Sequence, residues 1–404
     1  MSKVDVNDQK TWDLFKNGYT KGVFQLESNH GRNWSRKLAP SNLEELSALI
    51  AIIRPGTQKE QRQQFVDRKH GREEVTYLDK SLEEILKKTY GILVYQEQSM
   101  RIAQKLAGFD LKEADELRKA IGKKKADLMA KIKTKFITKE ASEEIFGWIE
   151  KSARYAFNKS HSVAYAVNAY NTAWYKANHT TEFFLSYLYY AADKQYPHQE
   201  VYELVSEAKL FSIETKIPNL TQFSEKFVAV GKDIYFGVKD VKSLTGVTGD
   251  KVISSIAKVE EETKIKPNKL TWLDVLIYLS PKINATAFKA LSSIGFFSTK
   301  ATRASRNKAL YEYEIFKMLT KKEKEWVLNN YSDKKWTTLE ECMIDLCPTK
   351  KNGGGTHNVA RSQLIENELS VIPQGKIKTS PMNGNDLKSY IDKNYMELFG
   401  HENV

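Results

Sequence analysis

The sequence predicts a mainly α-helical protein with small β elements (an α+β fold) and several domains. Apolar residues recur at helical spacing in residues 43–50, 111–121 and 163–177. A short strand is indicated at residues 234–238, where β-forming side chains precede a glycine and a valine. A chain of 404 residues, 41% of them hydrophobic, is long enough to bury a large core and to hold two to four domains.

The chain carries a strong positive charge. Its 63 Lys and Arg residues against 51 Asp and Glu residues give a formal net charge of +12. This balance favours a polyanionic partner, although charge alone does not separate nucleic acid from a membrane surface. The sequence contains no apolar run of membrane-spanning length and does not open with the pattern of a secretory signal. We therefore expect a cytoplasmic protein.

The first 60 residues predict turns followed by a helix. Residues 22–28 are typical of a strand or a strand-to-helix turn. A helix is predicted to begin at Ser41, with Glu44 completing a capping box, and to end before Pro55. Arg54 is left at that corner, where it is either a solvated side chain or a bidentate phosphate ligand.

Residues 61–190 are predicted to be basic and strongly helical. One helix begins at Ser81, residues 89–98 lead into a second, and a third closes at Gly122. A helix dipole attracts some lysines to a C-terminus, but this run is longer than one dipole needs and favours a polyanion. The run comprises Lys123, Lys124, Lys125, Lys131, Lys133, Lys135 and Lys139.

Residues 156–165 place a polar cluster directly before an apolar helical run. The cluster is Asn158, Lys159, Ser160 and His161, with Ser160 or Ser162 as the predicted N-cap. Free backbone N–H groups and the positive end of the helix dipole favour a phosphate at such a position. The competing interpretation is an ordinary capped core helix.

The second half of the chain offers a possible zinc site and a glycine-rich hairpin. Cys342 and Cys347 lack a second cysteine pair, and His357 lies beyond a glycine run, so two reduced thiols compete with zinc. Residues 244–253 resemble a helix-hairpin-helix, whose glycines let the backbone approach a phosphate; a plain helical turn is the alternative. Its expected DNA contacts are Gly246, Val247, Gly249 and Lys251.

Six ordered blocks together resemble one protein family. They read GVFQLES (residues 22–28), RPG (54–56), RKHG (68–71), TYGILVYQEQ (89–98), ADELRKAIGKKK (114–125) and FNKSHSVAY (157–165). In this order they resemble the C-family bacterial DNA polymerase III alpha subunit. The resemblance implies a palm edge at 1–60, fingers at 61–190, a linker at 191–230, a helix-hairpin-helix domain at 231–300, a helical extension at 301–350, and a joint and tail at 351–404.

The resemblance implies binding of an incoming deoxynucleoside triphosphate (dNTP) and of a DNA primer-template. The residues expected near the triphosphate or at the junction of palm and fingers are Gln25, Ser28, Arg54, Arg118, Lys119, Lys123, Lys124, Asn158, Lys159 and His161. Cations there neutralise charge on the leaving pyrophosphate. Lys119 replaces a usual arginine of the family, which keeps the charge but not a bidentate contact.

The same family uses palm aspartates that this sequence does not contain. Two-metal phosphoryl transfer needs carboxylates that hold a pair of Mg²⁺ ions, and the family supplies an Asp-x-Asp pair. The present sequence has no Asp-x-Asp, and the PHP and thumb portions are missing. We expect no catalytic residue in this chain, with Mg²⁺ held by a separate palm chain, as in a split replicase gene of a bacteriophage. A noncatalytic DNA-binding remnant is the competing interpretation, and a nuclease has little support.

The tail resembles a further binding peptide of this family. Residues 352–355 are a glycine-rich joint, and Met396, Leu398 and Phe399 resemble the end of the peptide by which bacterial polymerases hold the sliding clamp. The leading glutamine of that peptide is absent. A C-terminal helix that packs Leu398 and Phe399 onto its own domain is the alternative.

Overall fold

The computed structural model of the chain describes residues 4–54, 59–123, 126–138, 143–153 and 156–346. Within these residues the chain consists of α-helices and one small three-stranded sheet, so the predicted mainly helical fold with small β elements is confirmed. The chain divides into two units, Met1–Phe183 and Phe184–Val404. The division falls within helix α11 (Thr180–Tyr189).

The first unit is a helical assembly. Its helices are α1 (Gln9–Asn17), α2 (Asn29–Leu38), α3 (Leu43–Ile52), α4 (Lys59–Lys69), α5 (Glu83–Leu86), α6 (Gln96–Ala107), α7 (Leu111–Lys123), α8 (Ala126–Thr138), α9 (Glu143–Ala153) and α10 (Lys159–Asn178). Short 3₁₀ turns at Lys80–Leu82 and Lys87–Thr89 flank α5.

Two packing centres hold the first unit together. Helix α3 packs against α10, where Ala166, Ala169 and Ala173 are buried at helical spacing and let the two helices approach closely. A second cluster joins α6 to α9 around the buried side chains of Phe136 and Phe146. Both centres bury apolar stripes that the helical periodicity of the sequence had indicated.

Several predicted helix starts differ from the structure. The helix expected from Ser41 begins at Leu43, because Asn42 accepts a hydrogen bond from the Glu45 N–H at 3.0 Å and is the true N-cap. The capping box assigned to Ser41 and Glu44 was therefore wrong; the Ser41 N–H donates to the Glu45 carboxylate at 2.9 Å. The helix expected from Ser81 is broken into short turns capped by Asp79. Residues 22–28 form turns that lead into α2.

The second unit combines helices with the sheet. Its helices are α12 (Pro197–Lys209), α13 (Val247–Thr263), α14 (Trp272–Asp274) continued by a π-helical turn (Val275–Leu279), α15 (Ala285–Ile294), α16 (Arg306–Met318), α17 (Lys321–Lys334) and α18 (Leu339–Leu346). Strand β3 (Asp233–Tyr235) lies between β1 (Thr215–Lys216), which is parallel to it, and β2 (Val228–Val230), which is antiparallel. Residues 191–230, expected to be a linker, thus contain α12 and two strands.

One continuous apolar core supports the second unit. Phe288 stacks on Phe297 and on Tyr313, with ring centroids 4.7 and 4.1 Å apart. The indole N–H of Trp272 donates to the buried Glu312 carboxylate at 2.8 Å, so this core polar group is satisfied. Strand β3 covers the same core through Ile234, which is fully buried.

Several sequence predictions fall outside the described residues. These include Cys347, His357, the glycine joint at 352–355, and the tail residues Met396, Leu398 and Phe399. Cys342 is a free, buried thiol whose pKa is raised to about 12 by burial and by the nearby Asp345 carboxylate. Within the described part of the chain, no helix has the length and apolar character needed to cross a membrane.

Candidate nucleotide and DNA interface

A short β-bridge places the start of α10 beside the start of α6. Tyr95 and Phe157 pair in parallel. The Phe157 N–H donates to the Val94 carbonyl and the Gln96 N–H donates to the Phe157 carbonyl, both at 2.9 Å. Two sequence blocks that lie about 60 residues apart are thereby fixed next to each other.

Asn158 caps helix α10. Its side-chain oxygen accepts a hydrogen bond from the His161 N–H at 2.9 Å. The predicted cap at Ser160 or Ser162 was wrong, because the bridge ends at residue 157 and the helix begins two residues later. Ser162 is buried instead, where its hydroxyl donates to the Ser47 carbonyl of α3 at 2.6 Å.

The carboxylate of Glu97 lies at the N-terminus of α10. It accepts hydrogen bonds from the Lys159 N–H and from the Asn158 side-chain amide, each at 2.9 Å. The first free donor of the helix, which the sequence had offered to a phosphate, is therefore bound to an internal anion in this conformation. The electrostatic preference of this position for an anion agrees with the prediction, while its present occupant is a side chain.

Arg54 and four aromatic rings form a continuous row on the first unit. The Arg54 guanidinium lies 3.7 Å from the Phe157 ring centroid, and burial lowers the pKa of this arginine. His161 follows at 5.3 Å from Phe157 and 4.1 Å from Tyr165, which contacts Phe24 at 5.1 Å. Phe24 and His161 are exposed, so this row presents stacking surfaces and a cation to solvent.

Lys159 forms a second basic contact beside this row. Its ammonium lies 3.3 Å from a Glu44 carboxylate oxygen and 5.5 Å from the Tyr95 ring centroid. Glu44 also binds Lys88 at 3.0 Å. Burial acts to raise the pKa of Glu44, but the two lysines outweigh it and hold this pKa below its usual value. Glu44 therefore stays ionised and leaves one positive charge in excess.

The predicted cations of α7 form a separate ion-paired set. Asp115 binds Lys119 and Arg118, each at 2.8 Å, and the two cations lower its pKa. Both basic side chains are partly exposed, at 54% for Lys119 and 37% for Arg118. The side chain of Lys123 and the whole of Lys124 lie outside the described residues.

Gln25 and Ser28 lie in the turns before α2. Ser28 caps that helix by accepting a hydrogen bond from the Gly31 N–H at 3.1 Å. Gln25 is exposed and has a φ of +64°, a conformation that costs a non-glycine residue free energy. The turn puts Gln25 directly after Phe24, at one end of the aromatic row.

The basic block at residues 68–70 supports the scaffold. The Lys69 ammonium binds the buried Glu45 carboxylate at 2.6 Å and the Ala39 carbonyl at 2.6 Å. Tyr90 donates to the second Glu45 oxygen at 2.8 Å. The Arg68 guanidinium donates to the Tyr90 carbonyl at 3.0 Å. These contacts fix α3 and α4 and thereby position Arg54 at the end of α3.

The hairpin segment (residues 244–253) in the second unit ends in a long helix. A 3₁₀ turn, Val238–Asp240, precedes it, and α13 begins at Val247 after Gly246, whose φ is +57°. Gly246 has no side chain to cap the helix, so the first N–H groups of α13 face outward beside Val247, which is 83% exposed. Lys251 is exposed on the next turn. Backbone donors and a cation are suited to a phosphate backbone.

Replacing Gly249 with alanine is expected to distort the hairpin segment. A Cβ at Gly249 would overlap the Leu244 carbonyl oxygen, a backbone atom that cannot rotate away. We expect a loss of about 1–3 kcal/mol in stability, measured by denaturant unfolding. Gly147→Ala is the control, because Gly147 lies in α9 with open space around its Cβ position and should gain up to about 1 kcal/mol. An unchanged Gly249→Ala unfolding midpoint would contradict the close packing.

Two acidic residues of this site were missed by the sequence analysis. Glu97 and Glu44 hold Lys159 and Asn158 in place, yet neither was assigned a role. Glu97 lies within the quoted block 89–98, so its position was marked, but its partner lies in a distant block. Only the bridge between residues 95 and 157 brings the two together.

Comparisons with known proteins converge on one kind of protein. The family described as "Bacterial DNA polymerase III alpha subunit finger domain" matches residues 1–144. DNA polymerase III subunit alpha of Aquifex aeolicus is 38% identical over 314 residues, covering 74% of this chain and 26% of the relative. The Deinococcus radiodurans protein of that name is 37% identical over 317 residues (74% and 23%), and that of Escherichia coli K12 is 38% identical over 259 residues (60% and 22%). The chain thus spans about a quarter of the length of these curated relatives.

Proposed function

Residues 1–144 are a finger region of the bacterial DNA polymerase III alpha family, and from this premise we propose that the chain is the fingers and DNA-binding portion of a replicative DNA polymerase. It binds an incoming dNTP and a primer-template during DNA-templated nucleotidyl transfer. The observation that carries the nucleotide site is the meeting of Arg54, Lys159 and His161 with the aromatic ring of Phe157 at the start of α10.

This cluster has the chemistry that a nucleoside triphosphate requires. Arg54 and Lys159 supply fixed positive charge for phosphate oxygens, and the imidazole of His161 supplies a further hydrogen-bonding group. Phe157, Tyr165 and the imidazole supply flat faces on which a base can stack. A triphosphate that approached the N-terminus of α10 would compete with the Glu97 carboxylate for the Lys159 N–H.

A separate chain supplies the metal-binding carboxylates in this proposal. The sequence has no Asp-x-Asp pair, and the described residues bring no three potential ligands of the His, Cys, Asp or Glu type together. Mg²⁺ is accordingly assigned to a palm partner. The cations of α7, Arg118 and Lys119, would then approach the triphosphate from the fingers side and offset charge on the departing pyrophosphate.

The hairpin segment binds the DNA backbone in this proposal. Its support is the set of outward N–H groups at the start of α13 together with the exposed Val247 and Lys251. These groups contact phosphates without reading sequence, so affinity should depend on salt and not on base order.

Lys251→Ala is expected to weaken duplex binding uniformly across sequences. Loss of one phosphate contact should reduce the slope of log affinity against log salt by about 0.9. Fluorescence anisotropy of a labelled duplex over a salt series measures this slope. Lys321→Ala, which removes an exposed lysine from α17, is the charge-matched control and should leave the slope unchanged. Equal effects of the two variants would mean that only net charge matters.

Photochemical crosslinking tests the nucleotide site. A dNTP with a photoreactive base, added with primer-template, is expected to label a peptide that contains residues 157–165. Arg54→Ala should reduce labelling about tenfold or more, because it removes a phosphate ligand and its contact with Phe157. Arg36→Ala, on an exposed turn of α2, is the control. Labelling confined to other peptides would overturn the assignment.

A further inference from the structure

The second unit contains a cavity that none of the predicted sites uses. Its volume is about 300 Å³, at the lower end of the range of small-molecule sites. Residues of two segments line it: 188–201, which includes the start of α12, and 226–245, which runs from β2 to the hairpin segment. Thr245, one of the lining residues, directly precedes Gly246, so the cavity borders the proposed duplex contact.

The cavity has an aromatic wall and a basic rim. Phe227 and Phe236 form the wall, with ring centroids 4.8 Å apart. The ionic lining residues are three lysines and one aspartate, a net of two positive charges with His198 taken as neutral. Lys226 binds the buried Asp240 at 3.3 Å, which holds that aspartate as part of the frame. Ser243 and Thr245 add hydroxyl groups at the rim.

Four exposed tyrosines flank this cavity in the sequence. Tyr189, Tyr190, Tyr196 and Tyr202 are 47%, 62%, 65% and 49% exposed, and we call them the tyrosine patch. They alternate with residues that line the cavity, namely Leu188, Ala192, Pro197 and Val201. Exposed aromatic residues occur singly on most surfaces, but four within residues 189–202 are a concentration of stacking surface.

Aromatic faces combined with lysines are the chemistry that binds single-stranded nucleic acid. Unpaired bases stack on aromatic rings, while ammonium groups follow the phosphates. Duplex DNA keeps its bases stacked on each other and offers only phosphates. A phosphorylated peptide would favour bidentate arginines, whereas the cations of this cavity are lysines.

We propose that the tyrosine patch and the cavity bind an unpaired strand of DNA, with one nucleotide seated in the cavity. The proposal rests on the proposed function, in which the adjoining hairpin segment holds the duplex backbone. The arrangement places a single-strand site next to a duplex site within one unit. The second unit is then suited to the junction at which a template strand passes from single-stranded to paired.

The test compares two DNA forms and two kinds of tyrosine variant in the full chain. Fluorescence anisotropy measures binding of a labelled oligothymidylate and of a labelled blunt duplex. The double variant Tyr196→Ala/Tyr202→Ala should bind the single strand about tenfold more weakly and the duplex almost unchanged. The matched variant Tyr196→Phe/Tyr202→Phe keeps both rings and should retain single-strand affinity. Both tyrosines are exposed, so their replacement should not unfold the protein.

The outcomes separate this proposal from that for the hairpin segment. Unchanged single-strand binding by the double alanine variant would overturn the tyrosine site, even if Lys251→Ala weakens duplex binding as expected. Equal loss of single-strand and duplex binding would also overturn it, because stacking acts only on unpaired bases. Loss of binding to a phosphoserine peptide, with oligothymidylate binding intact, would assign the surface to a protein partner instead.

Discussion

Replacing Arg118 and Lys119 together with alanine is expected to lower nucleotide incorporation by the chain assembled with its palm partner by about 100-fold or more. Each cation of a preorganised site that stabilises developing charge contributes on the order of a few kcal/mol to the transition state. The two side chains lie on consecutive positions of α7, share Asp115 and remain partly exposed, so they can reach a triphosphate when this ion pair rearranges. Single-nucleotide incorporation kinetics measure the effect.

The control removes the same charge elsewhere. Lys321→Ala/Lys322→Ala deletes two exposed lysines from α17 of the second unit and should leave the incorporation rate unchanged. Primer-template affinity is measured in parallel for both variants. If Arg118→Ala/Lys119→Ala weakens DNA binding alone and incorporation at saturating DNA stays normal, the two residues contact DNA and not the triphosphate.

Replacing Lys69 with methionine is expected to destabilise the first unit by about 3–5 kcal/mol. The Lys69 ammonium and the Glu45 carboxylate are each about 10% exposed and lie 2.6 Å apart, so the variant leaves a buried carboxylate without its cation. Denaturant unfolding measures the loss. The exposed pair of Lys105 and Glu84 is the control, because Lys105→Met should cost no more than about 1 kcal/mol.

The same pair predicts a dependence of stability on pH. Burial acts to raise the pKa of Glu45, but hydrogen bonds from Lys69, Ser41 and Tyr90 outweigh it, and the folded-state pKa is lowered. A lowered pKa contributes stability above the unfolded value of about 4.3, and this contribution is lost as the pH falls through the folded-state pKa. Glu45→Gln should therefore flatten the acid limb of the stability curve. An unchanged acid limb would show that Glu45 does not titrate with unfolding.

Much of the fold was predictable from local patterns. The helical spacing of residues 111–121 and 163–177 predicted α7 and α10 because each helix buries one apolar stripe. Helix starts were less predictable, because several polar residues compete for each cap: Asn42 displaced Ser41, and Asn158 displaced Ser160. The tertiary contacts of Glu45 and Phe157 decided these cases, and such contacts are not visible in a local window.

The candidate site was predictable in its basic residues and not in its acids. Arg54, Lys159 and His161 come together at the start of α10 as a shared site would require. Glu97 was missed because its role depends on a bridge between segments about 60 residues apart. The aromatic row was missed because Phe24, Phe157 and Tyr165 look like core residues in sequence, while the fold leaves their edges at the surface.

The central claim is that this chain supplies the fingers of a working polymerase. The most direct measurement is Mg²⁺-dependent primer extension by the purified chain alone and by the chain recovered from its native cells with any bound partner. The account predicts extension only in the recovered complex, together with a co-purifying protein that contains an Asp-x-Asp pair. Tight primer-template binding without extension in either sample, and without such a protein, would contradict the account and identify a noncatalytic DNA-binding protein.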